Sequence, residues 1–491
     1  MRLKRNPPKG AKVRTSLAQW HVPTVDWCGH NVARVAIDTL PHAALLNIFY
    51  FYLEEEYVNP MEQIDKPPRE VWRTLAHVCR KWRNIVFGSP HRLDLRVYCR
   101  ASTPVTKMLD IWPNLPIVVW VYDDLGDLDN TIAALEHANR VCAIYLWHLQ
   151  KYHLEDIFAT MQQPFPALTH LVLGFTWFTG DIAPLDPDSF LGGSAPGLQL
   201  FMLDHIPFPG LPKLLLSAPH LVELQLRRTP HSGYISPDAM VAGLSALTRL
   251  ENLVIEFESP RSRPARSQRP PRTRALLPVL NYLLFKGVSE YLEDLLAGIH
   301  APLLNGLQIT VFHKLIFDTP QLTQLISHTP NFKVLNEAHV TFYNSIVSIT
   351  ISGFLGLNIL SKRPDWQLLS LARFCGSSFR LALIPVERLY IETFRMSSAP
   401  PWQDESSQWL ELLHLFTGLK DLYIFSQLTP RIASALQEPA GERVAKVLPS
   451  LRALFLSETP SGSVPEAFGK FVAARQLAGH PISVSRWHEG R

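Results

Sequence analysis

The 491-residue chain is poor in cysteine. Its five cysteines, Cys28, Cys79, Cys99, Cys142 and Cys375, are odd in number and far apart. No two of them have the C-x-x-C spacing of zinc and redox sites. The pattern indicates reduced thiols in an intracellular protein, and we expect neither a metal site nor another cofactor.

Long apolar runs are also missing. The longest, residues 115–122 and 276–285, are too short to cross a bilayer as a helix. No apolar segment follows the basic N-terminal residues, so a secretory signal is not expected. We therefore expect no membrane partner and a cytoplasmic or nuclear location, or both.

The standard catalytic motifs are absent. The chain has no G-x-S-x-G elbow, no G-x-x-x-x-G-K-[ST] phosphate loop, no G-x-G-x-x-G after a strand and no H-E-x-x-H zinc motif. Its 19 histidines are scattered along the chain. We predict a non-enzymatic protein without catalytic residues.

Net charge is slight, at +4 for the whole chain, but basic residues concentrate in residues 1–14 and 261–274. Proline and charge both oppose burial, so we predict a disordered N-terminal arm over 1–36 and a disordered Arg/Pro loop over 258–275. Nucleic-acid binding through 261–274 is kept as a minor alternative, and it predicts a steep loss of affinity with salt.

An internal repeat dominates the remaining sequence. The pattern L-x-x-L-x-[L/I] occurs at 168–173, 221–226, 250–255, 304–309, 419–424 and 451–456, and looser copies begin at Ile117, Val141, Leu198, Leu280, Phe332 and Val386. Successive copies begin 23 to 33 residues apart, except for one interval of 54 residues. The long interval predicts a divergent unit around 345–352. This spacing is typical of leucine-rich repeats.

The repeat has a simple physical reading. In a strand, the fourth and sixth positions of the pattern point to one face, which a single unit cannot bury. Stacked units make a continuous core, with helices predicted between the strands at 129–140, 287–299, 319–329 and 407–416. We predict an α/β fold in which residues 94–491 form a curved, leucine-rich-repeat-like solenoid with a parallel sheet on its concave side. The outward-facing positions predicted to bind a target protein are Thr169, His170, Glu223, Gln225, Asn252, Gln308, Asp421 and Tyr423.

A different block precedes the repeats. Residues 37–53 predict a helix with Pro41 in its first turn, capped by Asp38 or Thr39. Residues 71–87 predict further helix, and 54–70 form an acidic, proline-containing spacer. One apolar stripe is expected from Leu45, Leu46, Ile48, Phe49 and Tyr52, and one buried face is expected to hold both Val78 and Trp82. Cys79 is interpreted as a small buried apolar residue and not as a nucleophile.

These residues carry a family resemblance. L-P-x-x-x-L-L-x-I-F at 40–49, followed by L-x-x-V-C-R-x-W-R-x-I at 75–85, resembles an F-box, the helical module that attaches substrate receptors to the adaptor of Skp–cullin–F-box ubiquitin ligases. The chain also resembles fungal-type F-box proteins with degenerate leucine-rich repeats. The resemblance implies an F-box over 37–93 with an inserted acidic loop (54–70). The adaptor-binding residues that it implies are Leu40, Pro41, Leu45, Leu46, Ile48, Phe49, Val78, Cys79, Trp82 and Ile85.

The function that follows is a substrate-recognition subunit of a ubiquitin ligase. The F-box would bind the adaptor and, through it, a cullin, while the solenoid would hold an unknown target protein. The alternative is an interaction scaffold outside ubiquitin ligases, with a leucine-rich-repeat surface and no adaptor.

Overall fold

A computed structural model describes most of the chain. The described residues are 40–54, 72–100, 104–112, 115–122, 128–175, 184–186, 188–260, 274–312, 318–343, 345–360, 364–393, 406–437, 447–457 and 464–487. The predicted arm 1–36, the caps Asp38 and Thr39, nearly all of the acidic spacer and residues 261–273 of the Arg/Pro loop lie outside them.

Three helices come first: α1 (His42–Glu54), α2 (Trp72–Val78) and α3 (Arg80–Gly88). They contain the two apolar segments of the N-terminal block. We call α1, α2 and α3 together the helical block.

Strands and helices then alternate. The elements are β1 (Val97–Cys99), α4 (Val105–Ile111), β2 (Ile117–Val121), α5 (Leu128–Leu135), β3 (Val141–Leu149), α6 (Lys151–Thr160), β4 (His170–Phe175), β5 (Leu200–Asp204), α7 (Leu211–Leu215), β6 (Glu223–Thr229), α8 (Pro237–Leu244), β7 (Asn252–Phe257), β8 (Ala275–Leu276), β9 (Tyr282–Gly287), α9 (Ser289–Gly298), β10 (Ile299–His300), β11 (Gly306–Phe312), α10 (Pro320–His328), β12 (Glu337–Phe342), β13 (Ile346–Ile351), β14 (Leu355–Leu360), α11 (Pro364–Phe374), α12 (Arg380–Leu383), β15 (Arg388–Thr393), α13 (Ser406–Leu413), β16 (Asp421–Ile424), α14 (Thr429–Gln437), β17 (Ala453–Ser457), α15 (Val464–Leu477) and β18 (Ser483–Trp487).

Sixteen of these strands form one sheet, in the order β1-β2-β3-β4-β5-β6-β7-β9-β11-β14-β13-β12-β15-β16-β17-β18. Each of the twelve predicted repeats carries one of its strands, in most cases beginning two residues after the first leucine of the pattern. The four predicted helical stretches contain α5, α9, α10 and α13. The α/β solenoid with a large, mostly parallel sheet is therefore confirmed. Ala275, which the prediction placed in the Arg/Pro loop, instead pairs with Ile299 in a separate two-stranded sheet.

The sheet is not parallel throughout, which corrects the prediction. At the interval of 54 residues, β12, β13 and β14 form an antiparallel meander, and β14 instead of β12 pairs with β11. The β13–β14 turn has two left-handed residues, Ser352 (φ 46°) and Gly353 (φ 77°). They are the central pair of a tight turn in which the Phe354 N–H donates to the Ile351 carbonyl (3.1 Å), and positive φ at both positions matches the twist of an antiparallel hairpin. The divergent unit predicted around 345–352 is the middle strand of this meander.

Backbone carbonyls set the register between units. The carbonyl of Thr169 accepts hydrogen bonds from the N–H groups of Gln199 (2.7 Å) and Leu200 (3.1 Å). The same doubly accepting carbonyl recurs at the start of later strands, at Gln199, Val222, Glu251, Asn281, Asn336, Glu387 and Lys420. One unit thereby positions the first residue of the next strand on either side of the meander.

The core lies between the sheet and the helices. Paired inward side chains such as Leu171 with Leu173 and Leu422 with Ile424 are all fully buried. Helices of adjacent units pack side by side, α7 with α8, α8 with α9 and α9 with α10. Helices need about 8–10 Å of spacing, whereas strands need about 4.8 Å, so the sheet side is the shorter, concave side of the solenoid.

The helical block is continuous with this core. The indole Nε1 of Trp72 donates a hydrogen bond to the carbonyl of Arg96 (3.0 Å), just before β1. The Trp72 ring also packs edge-on against Trp112 after α4, with ring centroids 5.2 Å apart. These contacts join the block to the first edge of the sheet.

Close packing at a corner between units leaves no space for a side chain at Gly418. A Cβ at Gly418 would lie well inside contact distance of the Ile384 carbonyl oxygen, whereas a Cβ at Gly469, on the exposed side of α15, would meet nothing within 4 Å. We expect Gly418→Ala to lower the unfolding free energy by about 1–3 kcal/mol through overpacking, and Gly469→Ala to raise it by about 0.5–1 kcal/mol through helix propensity. Urea denaturation followed by circular dichroism measures both. Equal midpoints for the two variants would contradict this packing.

Candidate protein-binding surfaces

Helix α1 is apolar on two sides. Leu45 and Phe49 are at most 1% exposed and face the core, as does Leu46. Away from the core, Ile48 is 43% exposed and Phe51 is 65% exposed. Ile48 follows Pro41 by seven residues, or two turns, and Phe51 and Tyr52 follow Ile48 by three and four residues, so these side chains share one exposed stripe. The predicted stripe of five residues is therefore buried only in part: Ile48 and Tyr52, each one helical turn from a buried residue, stay exposed at its edge.

The second helical segment is broken at Cys79. Its backbone is extended (φ −157°, ψ 170°), which separates α2 from α3. The Cys79 sulfur accepts a hydrogen bond from the Trp82 N–H at 3.4 Å and so caps the N-terminus of α3. Cys79 is half-buried and serves as a cap, not as a core residue.

The break also changes the exposure of Val78. It is 55% exposed, whereas Trp82 packs on the Phe49 ring with centroids 4.7 Å apart. The predicted shared buried face of Val78 and Trp82 is wrong, because helical spacing does not continue through an extended residue. Lys81 Nζ donates to the Leu40 carbonyl (3.2 Å), which brings the start of α3 beside the start of α1.

Exposure divides the ten residues predicted to contact the adaptor. The surface left to a partner comes from the exposed members together with Phe51 and Tyr52, which the prediction did not include. We call Pro41, Ile48, Phe51, Tyr52 and Val78 the block surface. Of the ten predicted residues, Pro41, Ile48 and Val78 are exposed, Leu40, Cys79 and Trp82 are half-buried, and Leu45, Leu46, Phe49 and Ile85 are buried in the core.

The eight residues predicted to bind a target all lie on or beside the concave face, away from the helices. Gln225 is an exception in exposure, because only 5% of it is accessible. Thr169 precedes β4 and its hydroxyl donates to the Cys142 carbonyl at 2.9 Å. The half-buried members are Thr169, His170, Glu223, Asn252, Gln308, Asp421 and Tyr423.

The concave face begins with an apolar region. Val118, Trp120, Tyr145, Val172 and Met202 come from β2 to β5, and each is at most 3% exposed. Beside them, burial lowers the pKa of His170, Arg96 lowers it further, and Asp94 opposes this shift. An imidazole with a lowered pKa is neutral at physiological pH, so this region carries little positive charge from His170.

The middle of the face is polar and internally paired. Arg228, left-handed at φ 47°, binds Asp204 through two bonds of 2.6 Å. Gln225 is hydrogen-bonded to both Glu223 and Arg227. These side chains bind one another, which leaves them fewer free groups for a ligand.

Aromatic rings occupy the last part of the face. His339, Tyr390, Tyr423 and Phe455 lie on adjacent strands in one row, and we call them the ring ladder. Tyr423 was predicted from the sequence, but the other three and the nearby Trp487 were not. The sequence does carry a signal for the row: the residue between the two core positions is tyrosine in the repeats that begin at 386 and 419, and phenylalanine in the repeat that begins at 451. Burial raises the pKa of Tyr423, with a smaller contribution from Tyr390, so the hydroxyl is protonated at neutral pH.

In the part of the chain that the structure describes, no group of three His, Cys, Asp or Glu side chains is arranged to hold a metal ion. Among the described helices, none is both long enough and apolar enough to cross a membrane.

Comparison with known proteins adds little beyond the fold. No family model matches the chain, and no curated protein matches it. Among solved structures it is similar to the leucine-rich repeat-containing protein LegL7 from Legionella pneumophila, with 12% identity over 78% of this chain and 98% of that chain and a TM-score of 0.29. The fold assignment therefore rests on the strand and helix geometry described above.

The role of Cys79 can be tested by two substitutions. Cys79→Ala removes the acceptor for the Trp82 N–H and should lower the unfolding free energy by about 0.5–1 kcal/mol, whereas Cys79→Ser keeps an acceptor and should match or exceed the parent protein. Urea denaturation distinguishes them. If serine and alanine destabilise the protein equally, the sulfur does not cap α3.

Proposed function

We propose that this protein is a substrate receptor of a Skp–cullin–F-box type ubiquitin ligase. The block surface binds the adaptor, and the concave face of the solenoid binds the target protein. The observation that carries the proposal is the exposed apolar stripe of α1 on a block that otherwise has its own buried core. The resemblance of residues 40–49 and 75–85 to an F-box supports the same assignment.

The block surface exposes several large apolar side chains, which is unusual for a surface that binds no partner. Phe51 at 65%, Val78 at 55%, Tyr52 at 46% and Ile48 at 43% exposure are all large apolar or aromatic groups of the block. Burial of such side chains by a partner removes apolar area from water at about 25 cal/mol per Å². Clusters of exposed apolar residues on a protein surface commonly mark sites of protein interaction.

The attachment of the block to the sheet gives the receptor its mechanism. Trp72 connects the block to both Arg96 and Trp112, so an adaptor on the block and a target on the concave face are held on one body. Binding on one body raises the effective concentration of the target near the ligase. No group of this chain is required to perform the ubiquitin transfer.

The adaptor interaction can be tested with a charge-bearing double variant. Ile48→Glu with Phe51→Glu places two carboxylates on the stripe, whose side chains do not contribute to the core. We expect co-purification of the adaptor and cullin to fall by at least about tenfold, because a buried unpaired charge opposes docking. Affinity purification followed by quantitative immunoblotting measures the change.

The matched control replaces two exposed apolar residues that lie outside the helical block. Val334→Glu with Leu477→Glu changes the same number of charges at positions 80% and 91% exposed, and it should leave adaptor recovery unchanged. Circular dichroism should show both double variants folded. A parent protein that recovers a target but neither adaptor nor cullin would refute the ligase assignment and leave the scaffold alternative.

A further inference from the structure

The ring ladder is a continuous stack. Ring centroids are 4.5 Å apart for His339 and Tyr390, 4.3 Å for Tyr390 and Tyr423, and 4.4 Å for Tyr423 and Phe455, with interplanar angles of 5°, 13° and 8°. Strand spacing of about 4.8 Å brings in-register rings to this distance. The rings immobilise one another, so a ligand meets a preformed apolar surface and loses little affinity to ordering it.

The stack stays accessible although its rings touch. His339 has 39% of its side chain exposed, and Tyr390, Tyr423 and Phe455 are all half-buried. Trp487 stands edge-on to Tyr423 with centroids 5.7 Å apart and forms a wall at one side. The next register partner of Phe455 is Ser485, which has no ring, so among the described strands no further aromatic residue continues the stack beyond Phe455.

Carboxylates flank the ladder on both sides. In the preceding row, Glu337 is occupied by Arg388 (2.9 Å) and His339 (3.0 Å). Asp421, in the same row and the register partner of Arg388, has a carboxylate with no hydrogen-bond or ion-pair partner among the described residues. In the following row, Glu392 has one ion-pair contact in that part of the chain, His339 Nδ1 at 3.9 Å. Two carboxylates therefore keep free acceptor capacity, one on each side of the rings.

We propose that the ring ladder binds an arginine-bearing, extended segment of the target protein. This inference rests on the proposed receptor function and names the chemistry of its target. A guanidinium group is planar, binds a carboxylate through two parallel bonds and packs on an aromatic face. Asp421 and Glu392 supply the carboxylates, and Phe455 supplies the aromatic face.

The charge and length of the surface favour this ligand. An acidic segment would bring like charges next to Asp421 and Glu392, which opposes binding. The four strands of the ladder span about 14 Å, the length of about four extended residues. Lysine would meet the carboxylates as a point charge without the planar contact, so it should bind more weakly than arginine.

Fluorescence polarisation with synthetic peptides tests the proposal on the full chain. The probe is fluorescein-labelled Gly-Ser-Arg-Ala-Arg-Ala-Arg-Ser-Gly, compared with versions in which the three arginines are lysine or glutamate. We expect saturable binding of the arginine peptide, binding about threefold to tenfold weaker for lysine, and no binding for glutamate. Absence of saturable binding by the arginine peptide, or equal binding of the glutamate peptide, would overturn the proposal.

Variants locate the site. Tyr423→Ala, and separately Asp421→Asn with Glu392→Gln, should each weaken binding of the arginine peptide by at least about tenfold, because they remove a central ring or both free charges. The control Asp110→Asn with Glu411→Gln removes two exposed carboxylates from helices α4 and α13 and should have no effect. Unchanged binding in the ladder variants, or equal loss in the control, would show that the peptide binds elsewhere.

The outcome is separable from that of the adaptor test. Ile48→Glu with Phe51→Glu leaves the ladder intact, so this variant should still bind the arginine peptide. Peptide binding without adaptor recovery by the parent protein would support the ladder and refute the ligase. Adaptor recovery without peptide binding would support the ligase assignment and refute peptide binding at the ring ladder.

Discussion

No repeat of this protein can bury its own apolar strand face, and this constraint organises the whole molecule. Leu224 in β6 and Leu253 in β7 are fully buried only because neighbouring strands and the helices behind them close over each other. The carbonyls that accept two hydrogen bonds at the strand starts fix the register between units, because each of them binds two successive N–H groups at the start of the next strand. Stability is consequently shared along the solenoid instead of being concentrated in one unit.

Side chains on the concave face of the sheet do not pack against the helices, and their chemical character changes along the solenoid. In the first strands they are apolar and buried, in the middle they bind one another, and after the meander they form a stack of rings. Register explains the stack. Strands in phase place the same position of each unit in one row, so three aromatic residues that are 33 and 32 positions apart in the sequence become contacts of less than 5 Å.

In the helical block one residue, Cys79, changes which neighbouring side chains are exposed. Cys79 leaves the helical conformation and so separates α2 from α3, and α3 packs against α1. Trp82 then packs on Phe49, while Val78 is exposed. The block thus satisfies its core with one side of α1, and the other side of α1 is left apolar and open.

Sequence alone determined the repeats, the strand that each repeat carries, several of the helices and the core positions, because leucine spacing records local periodicity directly. It also marked the N-terminal block as apolar and separate from the repeats. Tertiary structure decided the order of β12, β13 and β14, the exposure of Ile48, Tyr52 and Val78, and the assembly of the ring ladder. These features depend on which strands become neighbours and where a helix is interrupted, and both are settled by packing between segments distant in sequence, not by the pattern within any one of them.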